Sequence, residues 1–90
     1  MDDATIKDTI AQLRKLQGDE NAMQRYLLGF IRQGLQSGIT LGKMIETLTL
    51  GPGSILRRAL YAESEERRLI EFLRSRTIID LLADDYEVPQ

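Results

Sequence analysis

The sequence predicts an all-α fold: a single domain built as a compact orthogonal bundle of five to six short helices. Three observations carry this. Apolar residues recur three and four positions apart along nearly the whole chain, the pattern of helices that each bury one face. Gly18-Asp19, Gly38 with Thr40, and Gly51-Pro52-Gly53-Ser54 cut that pattern into short, unequal pieces. The only alternating stretch, Thr47-Leu48-Thr49-Leu50, is too short for a strand and runs into a glycine turn. Short, unequal helices favour crossed packing over an up-and-down bundle.

The first helix is expected from about Asp3 to Gln17, with Ile6, Ile10, Leu13 and Leu16 as its apolar stripe. Asp2, Asp3 and Thr5 suit its N-terminus, and Gly18 suits its end. Asp19 caps the second helix, which carries Ala22, Met23, Tyr26, Leu27, Leu28, Phe30, Ile31 and Leu35. That set covers more than half the circumference, so this helix is central or contacts a second chain. Gly29 and Gly34 within it weaken the helix by roughly 1 kcal/mol each and point to the close approach of a neighbouring backbone. Thr40 caps a third helix with Met44, Ile45 and Leu48, and Ser54 caps a fourth with Ile55, Leu56, Ala59 and Leu60. Ser64-Glu65-Glu66 looks like the start of a fifth, carrying Leu69, Ile70, Phe72 and Leu73. Thr77 with Asp80 resembles a capping box for a last short helix; the alternative is one long kinked helix over 64–83. Residues 1–83 are thus the helical domain, and 84–90 an acidic flexible tail.

Apolar residues make up 42% of the chain and charged residues 29%, a globular balance rather than a disordered one. No apolar run approaches the ~20 residues that span a bilayer, so no membrane association is expected. There is no cysteine, and the acidic start Met1-Asp2-Asp3 is unlike a secretory signal, so the expected location is cytoplasmic. Net charge is −2 but uneven: residues 23–76 carry nine basic and five acidic groups, while 77–90 carry four acids and no base. A basic middle with acidic ends reads as a binding face or as helix surfaces dressed in Arg and Glu.

The residue inventory argues against an enzyme. Histidine is absent, which removes the commonest general base and metal ligand. Cys/His zinc sites are excluded, no segment has calcium-loop spacing, and neither a metal nor a cofactor is expected. Ser37, Ser54, Ser64 and Ser75 are better explained as caps and loop residues than as nucleophiles. Gly51-Pro52-Gly53-Ser54 lacks the Gly-Lys-Ser/Thr ending of a phosphate loop.

From Gly38 to Leu60 the chain reads Gly-Ile-Thr-Leu, then Met44-Ile45 and Leu48, then the glycine turn, then Ser54-Ile55 and Arg57-Arg58. This stretch resembles the helix-turn-helix units of bacterial and phage DNA-binding regulators. The resemblance implies that Ser54 opens a recognition helix and bonds a phosphate, and that Arg57 and Arg58 meet double-stranded DNA. The stretch departs from the family pattern at Ile45, Thr49 and Arg58, and its turn is one residue longer. A second basic group, Arg67, Arg68 and Arg74 with Arg76, has Glu63, Glu66, Glu71 and Asp80 within three or four residues. It reads as a salt-laced solvent face or as a cationic face for an acidic protein partner.

The functional expectation is a small non-enzymatic regulator or adaptor that binds another protein and self-associates as a homodimer. Partner or DNA contacts are assigned to Ser54, Arg57, Arg58, Arg67, Arg68 and Arg74, and self-association to Met23, Leu27, Phe30 and Ile31. The alternative is a helix-turn-helix DNA-binding regulator using residues 40–60. Tyr26 and Tyr61 are expected at the core edge, and Tyr86 exposed in the tail.

Overall fold

In the computed structural model, the described residues are 2–75 together with Ile78 and Leu82. They form five helices and no strand: α1 (Asp3–Lys15), α2 (Glu20–Gln36), α3 (Leu41–Thr49), α4 (Ile55–Ala59) and α5 (Glu63–Arg74). Four of the five start on the side-chain caps that the sequence offers. Asp2, Asp19, Thr40 and Ser54 accept the backbone N–H of Thr5, Ala22, Lys43 and Arg57 respectively, each satisfying one otherwise unpaired donor. Gly18, Gly38 and Gly51 all have positive φ. At Gly51, φ 80° sets the turn in which Ser54 N–H donates to Gly51 C=O, and this brings Ser54 into its capping position.

The fifth helix departs from expectation. Its N-cap is Ala62, without a side-chain cap, and helix begins at Glu63 rather than after Ser64. The earlier start puts Glu63, Glu65 and Glu66 in the first turn, where they favour the dipole. It also lets Glu65 and Glu66 reach groups outside the helix. The segment 64–83 is not one continuous helix. The backbone turns extended at Ser75 (φ −79°, ψ 157°), whose hydroxyl donates to Phe72 C=O. Ile78 and Leu82 lie beyond this break, helical and buried. The Thr77–Asp80 box, Arg76, Tyr86 and the 84–90 tail lie outside the described residues.

Packing explains the breadth of the apolar face on α2. This helix is covered by α3 and α5, and α3 in turn packs on α4 and α5. Met23, Leu27 and Ile31 are completely buried, and Phe30 nearly so (6% exposed). For Met23, Leu27 and Ile31 the expectation of facing a second copy is therefore corrected: the chain's own helices consume that part of the ridge. Leu13, Met44, Leu48, Ile55, Leu56, Leu69 and Leu73 complete the same core. Its buried hydroxyls are satisfied locally, Thr9 donating to Thr5 C=O and Thr49 to Ile45 C=O. The other helix, α1, packs chiefly on α4, far along the chain, which is not the neighbour order of an up-and-down bundle. The radius of gyration, 12.5 Å, is close to the ~12 Å of a compact chain of this length.

The two helix-interior glycines of α2 have different origins. At Gly34 a Cβ would collide with the Met44 thioether, so the close neighbour is a side chain of α3 rather than a backbone. At Gly29 a Cβ would meet nothing within 4 Å, and no neighbour explains it. Gly34→Ala is expected to destabilise the fold by about 1–3 kcal/mol, because the fully buried Met44 thioether must shift to admit the methyl. Gly29→Ala should stabilise it by about 0.5–1 kcal/mol. Chemical denaturation of the two variants checks the opposite signs.

The Asp2 carboxylate, held by the Thr5 N–H, has its pKa lowered from its ordinary value near 3.8. A depressed folded-state pKa stabilises the fold above the ordinary value and loses that contribution as pH falls through the folded one. Asp2→Asn keeps a capping oxygen without the charge. It is expected to reduce the acid sensitivity of the melting temperature below about pH 4, read by melts across the acid range.

Candidate protein-binding surface

The surface is built on α4, a helix of barely more than one turn. Ile55, Leu56 and Ala59 bury its inner face, and the extended backbone at Leu60 ends it. Ser54 is 3% exposed, with its Oγ accepting Arg57 N–H at 3.3 Å. It is a structural cap turned into the protein, which corrects its assignment as an outward contact. The outer face then belongs to Arg57 and Arg58, both exposed.

A polar latch fixes this helix. Two of its last carbonyls are taken by α1 and the turn after it. Arg14 Nη2 donates to Arg58 C=O at 2.8 Å, and Gln17 Nε2 donates to Ala59 C=O at 3.0 Å. These are among the acceptors that a helix end leaves unpaired, so the bonds anchor α1 and terminate α4 together. On the other side Arg57 Nε donates to both carboxylate oxygens of Glu66, at 3.2 and 3.0 Å. Gly18 N–H donates to Glu65 Oε2 at 3.3 Å. The Glu66 side chain is largely buried, while that of Arg57 is 58% exposed. The pair therefore orients Arg57 more than it stabilises the fold, since exposed ion pairs contribute at most about 1 kcal/mol.

The turns on either side of α4 carry its most unusual residues. Leu50, before the helix, is 59% exposed, and Tyr61, after it, is 79% exposed. They are the two large hydrophobic side chains left exposed among the described residues. Tyr61 corrects the expectation of a core-edge position. It sits in the short connection between Leu60 and Ala62, where both flanking residues are extended. The available signal was its place between two helix termini, because connections run over the surface.

The remaining arginines do not form one cluster. Arg67, exposed, shares a shallow cleft of about 190 Å³ with Arg57, Glu63, Glu66, Ile70 and Glu71. This is smaller than the roughly 300 Å³ at which small-molecule pockets begin, and acids line it as well as bases. Arg74, exposed, lies two turns further along α5. Arg68 points to a different neighbour: its Nε donates to Glu20 Oε1 at 2.6 Å, at the start of α2. That bond, with the charge of Glu20, raises the Arg68 pKa above its ordinary value. Among the described residues the arginine pairs run between helices rather than within α5, Arg57–Glu66 and Arg68–Glu20. The cleft brings Arg57 and Arg67 together, whereas Arg68 is engaged with Glu20.

The stretch that resembles a helix-turn-helix unit consists of α3, a turn and α4, with α4 only five residues long, its cap buried and its Arg57 tied to Glu66. Among the described residues no three acidic, cysteine or histidine side chains converge as metal ligands would, and no helix is long and apolar enough to cross a membrane. No family model matches this chain, and no curated protein or solved structure matches it either.

Ser54→Ala is expected to destabilise the fold by about 1 kcal/mol through loss of the α4 cap. Because the hydroxyl is buried, the same variant should leave binding at the outer face of α4 unchanged. Paired melting and binding measurements check both halves.

Proposed function

We propose that this chain is a small non-enzymatic regulatory or adaptor protein that binds another protein through the outer face of α4 and its two flanking turns. The observation that carries this reading is the exposure of Leu50 and Tyr61 on either side of a helix that presents Arg57 and Arg58. Leaving a leucine and a tyrosine in water forgoes on the order of 1.5–3 kcal/mol each, which a bound partner would recover. Tyr and Arg are also the side chains that most often dominate the energetics of protein interfaces. The latch beneath supports it, because a face held rigid loses little entropy on binding. The exposed guanidinium groups of Arg58 and Arg67 favour a partner that offers carboxylates at the rim of this face.

The test uses a photoreactive phenylalanine analogue at position 61 of the full chain, irradiated in cytosol of the source cells. A discrete protein adduct is expected, lost on Arg58→Glu and not formed from the same probe at position 43, exposed on α3. In parallel, random duplex DNA is titrated at about 50 and 200 mM salt. Micromolar binding that collapses at the higher salt, and is abolished by Arg57→Ala with Arg58→Ala, would sink the adaptor reading in favour of a DNA-binding regulator.

A further inference from the structure

Because α1 packs chiefly on α4, an open groove is left between α1 and α2. It has two stretches, of about 480 and 490 Å³, joined at Thr5, Phe30 and Gln33. Asp8 on the α1 wall and Arg25 on the α2 wall line the first stretch, both exposed. Neither makes an ion pair or a hydrogen bond with any described residue. Gly29 lines the groove between them, and a Cβ there would meet nothing within 4 Å. A glycine inside a helix weakens it, and none of the described residues uses the space this one leaves.

We propose that this groove seats a second copy of the same chain. In a two-fold dimer, the α1 wall of each protomer lies in the groove of the other. Asp8 meets the partner subunit's Arg25, and Gly29 leaves room for the partner's backbone. The inference rests on the reading that the chain acts by binding protein, and it concerns a face separate from α4. Two-fold interfaces are isologous, so the surface must complement itself. An unbridged acid and an unbridged base on opposite walls of one groove meet that condition: the two-fold axis sets each against its opposite. Steric form agrees. Ala4, Asp8 and Ala11 are exposed at helical spacing on α1, so the carboxylate stands between two small side chains along its stripe. Self-association thus moves from the buried ridge of α2 to its open side, where Phe30 alone of the four expected residues lines the groove.

Sedimentation equilibrium of the full chain, from micromolar to millimolar concentration, tests this. A monomer–dimer equilibrium is expected. Asp8→Arg alone and Arg25→Asp alone should each raise the dimer Kd by at least about tenfold, through like charges set face to face. Asp8→Arg combined with Arg25→Asp should restore it. Gly29→Leu should abolish the dimer while circular dichroism shows the helices intact. A chain that stays monomeric throughout overturns the proposal, as does a dimer indifferent to the single reversals or not restored by the double exchange. The position-61 adduct is read independently. Its loss with the dimer intact counts against the α4 reading, and a monomer that still forms it counts against this one.

Discussion

The structure depends on covering α2. Its apolar residues occupy too much of the circumference for one neighbour to bury, so the chain must bring helices to it from more than one side. From one side comes α3, whose Met44 presses into the space left by Gly34. From another comes α5, with Leu69 and Leu73 completely or almost completely buried. The contact at Gly34 is tight because interiors pack at crystal-like density, where one extra methyl is felt. Once α3 and α5 hold these places, α1 finds its main apolar partner in α4. The groove between α1 and α2 is the consequence.

The placement of α4 shows how polar bonds direct a segment too short to direct itself. Five residues make an unstable helix in isolation. Here the inner face is buried, the start is capped by Ser54, and the end is held by Arg14 and Gln17. Each bond contributes on the order of 1 kcal/mol, which is modest beside burial of Ile55 and Leu56. Their effect is directional. They set which side of α4 faces water, and so leave Arg57 and Arg58 exposed on it.

Charge behaves in the same way. Spacing along α5 suggested a ladder of pairs within one helix, but the acids in its first turn reach other elements. Glu66 takes Arg57, and Glu65 takes the Gly18 N–H. Interhelical pairs of this kind form because a helix N-terminus gathers acids for its own dipole, and packing then brings donors to them. The partial neutralisation of Arg57 and Arg68 leaves Arg58 as the exposed cation most fully available on α4.

What the sequence determined by itself was local: the all-α class, the caps at Asp2, Asp19, Thr40 and Ser54, and the breaks at Gly18, Gly38 and Gly51. These depend on backbone donors and on φ angles within a few residues, and both are legible from neighbouring letters. The sequence also showed that α2 had to be covered over more than half its circumference. Only the tertiary structure decided by what. Periodicity reports that a face is apolar but not whether the covering helix belongs to the same chain, so Met23, Leu27 and Ile31 read equally well as core or interface. For the same reason Ser54 read as an outward contact and Tyr61 as a core-edge residue, when packing puts the first inside and the second out. Ion-pair partners were illegible beyond three or four positions, because Arg57–Glu66 and Arg68–Glu20 join residues that only folding brings within reach.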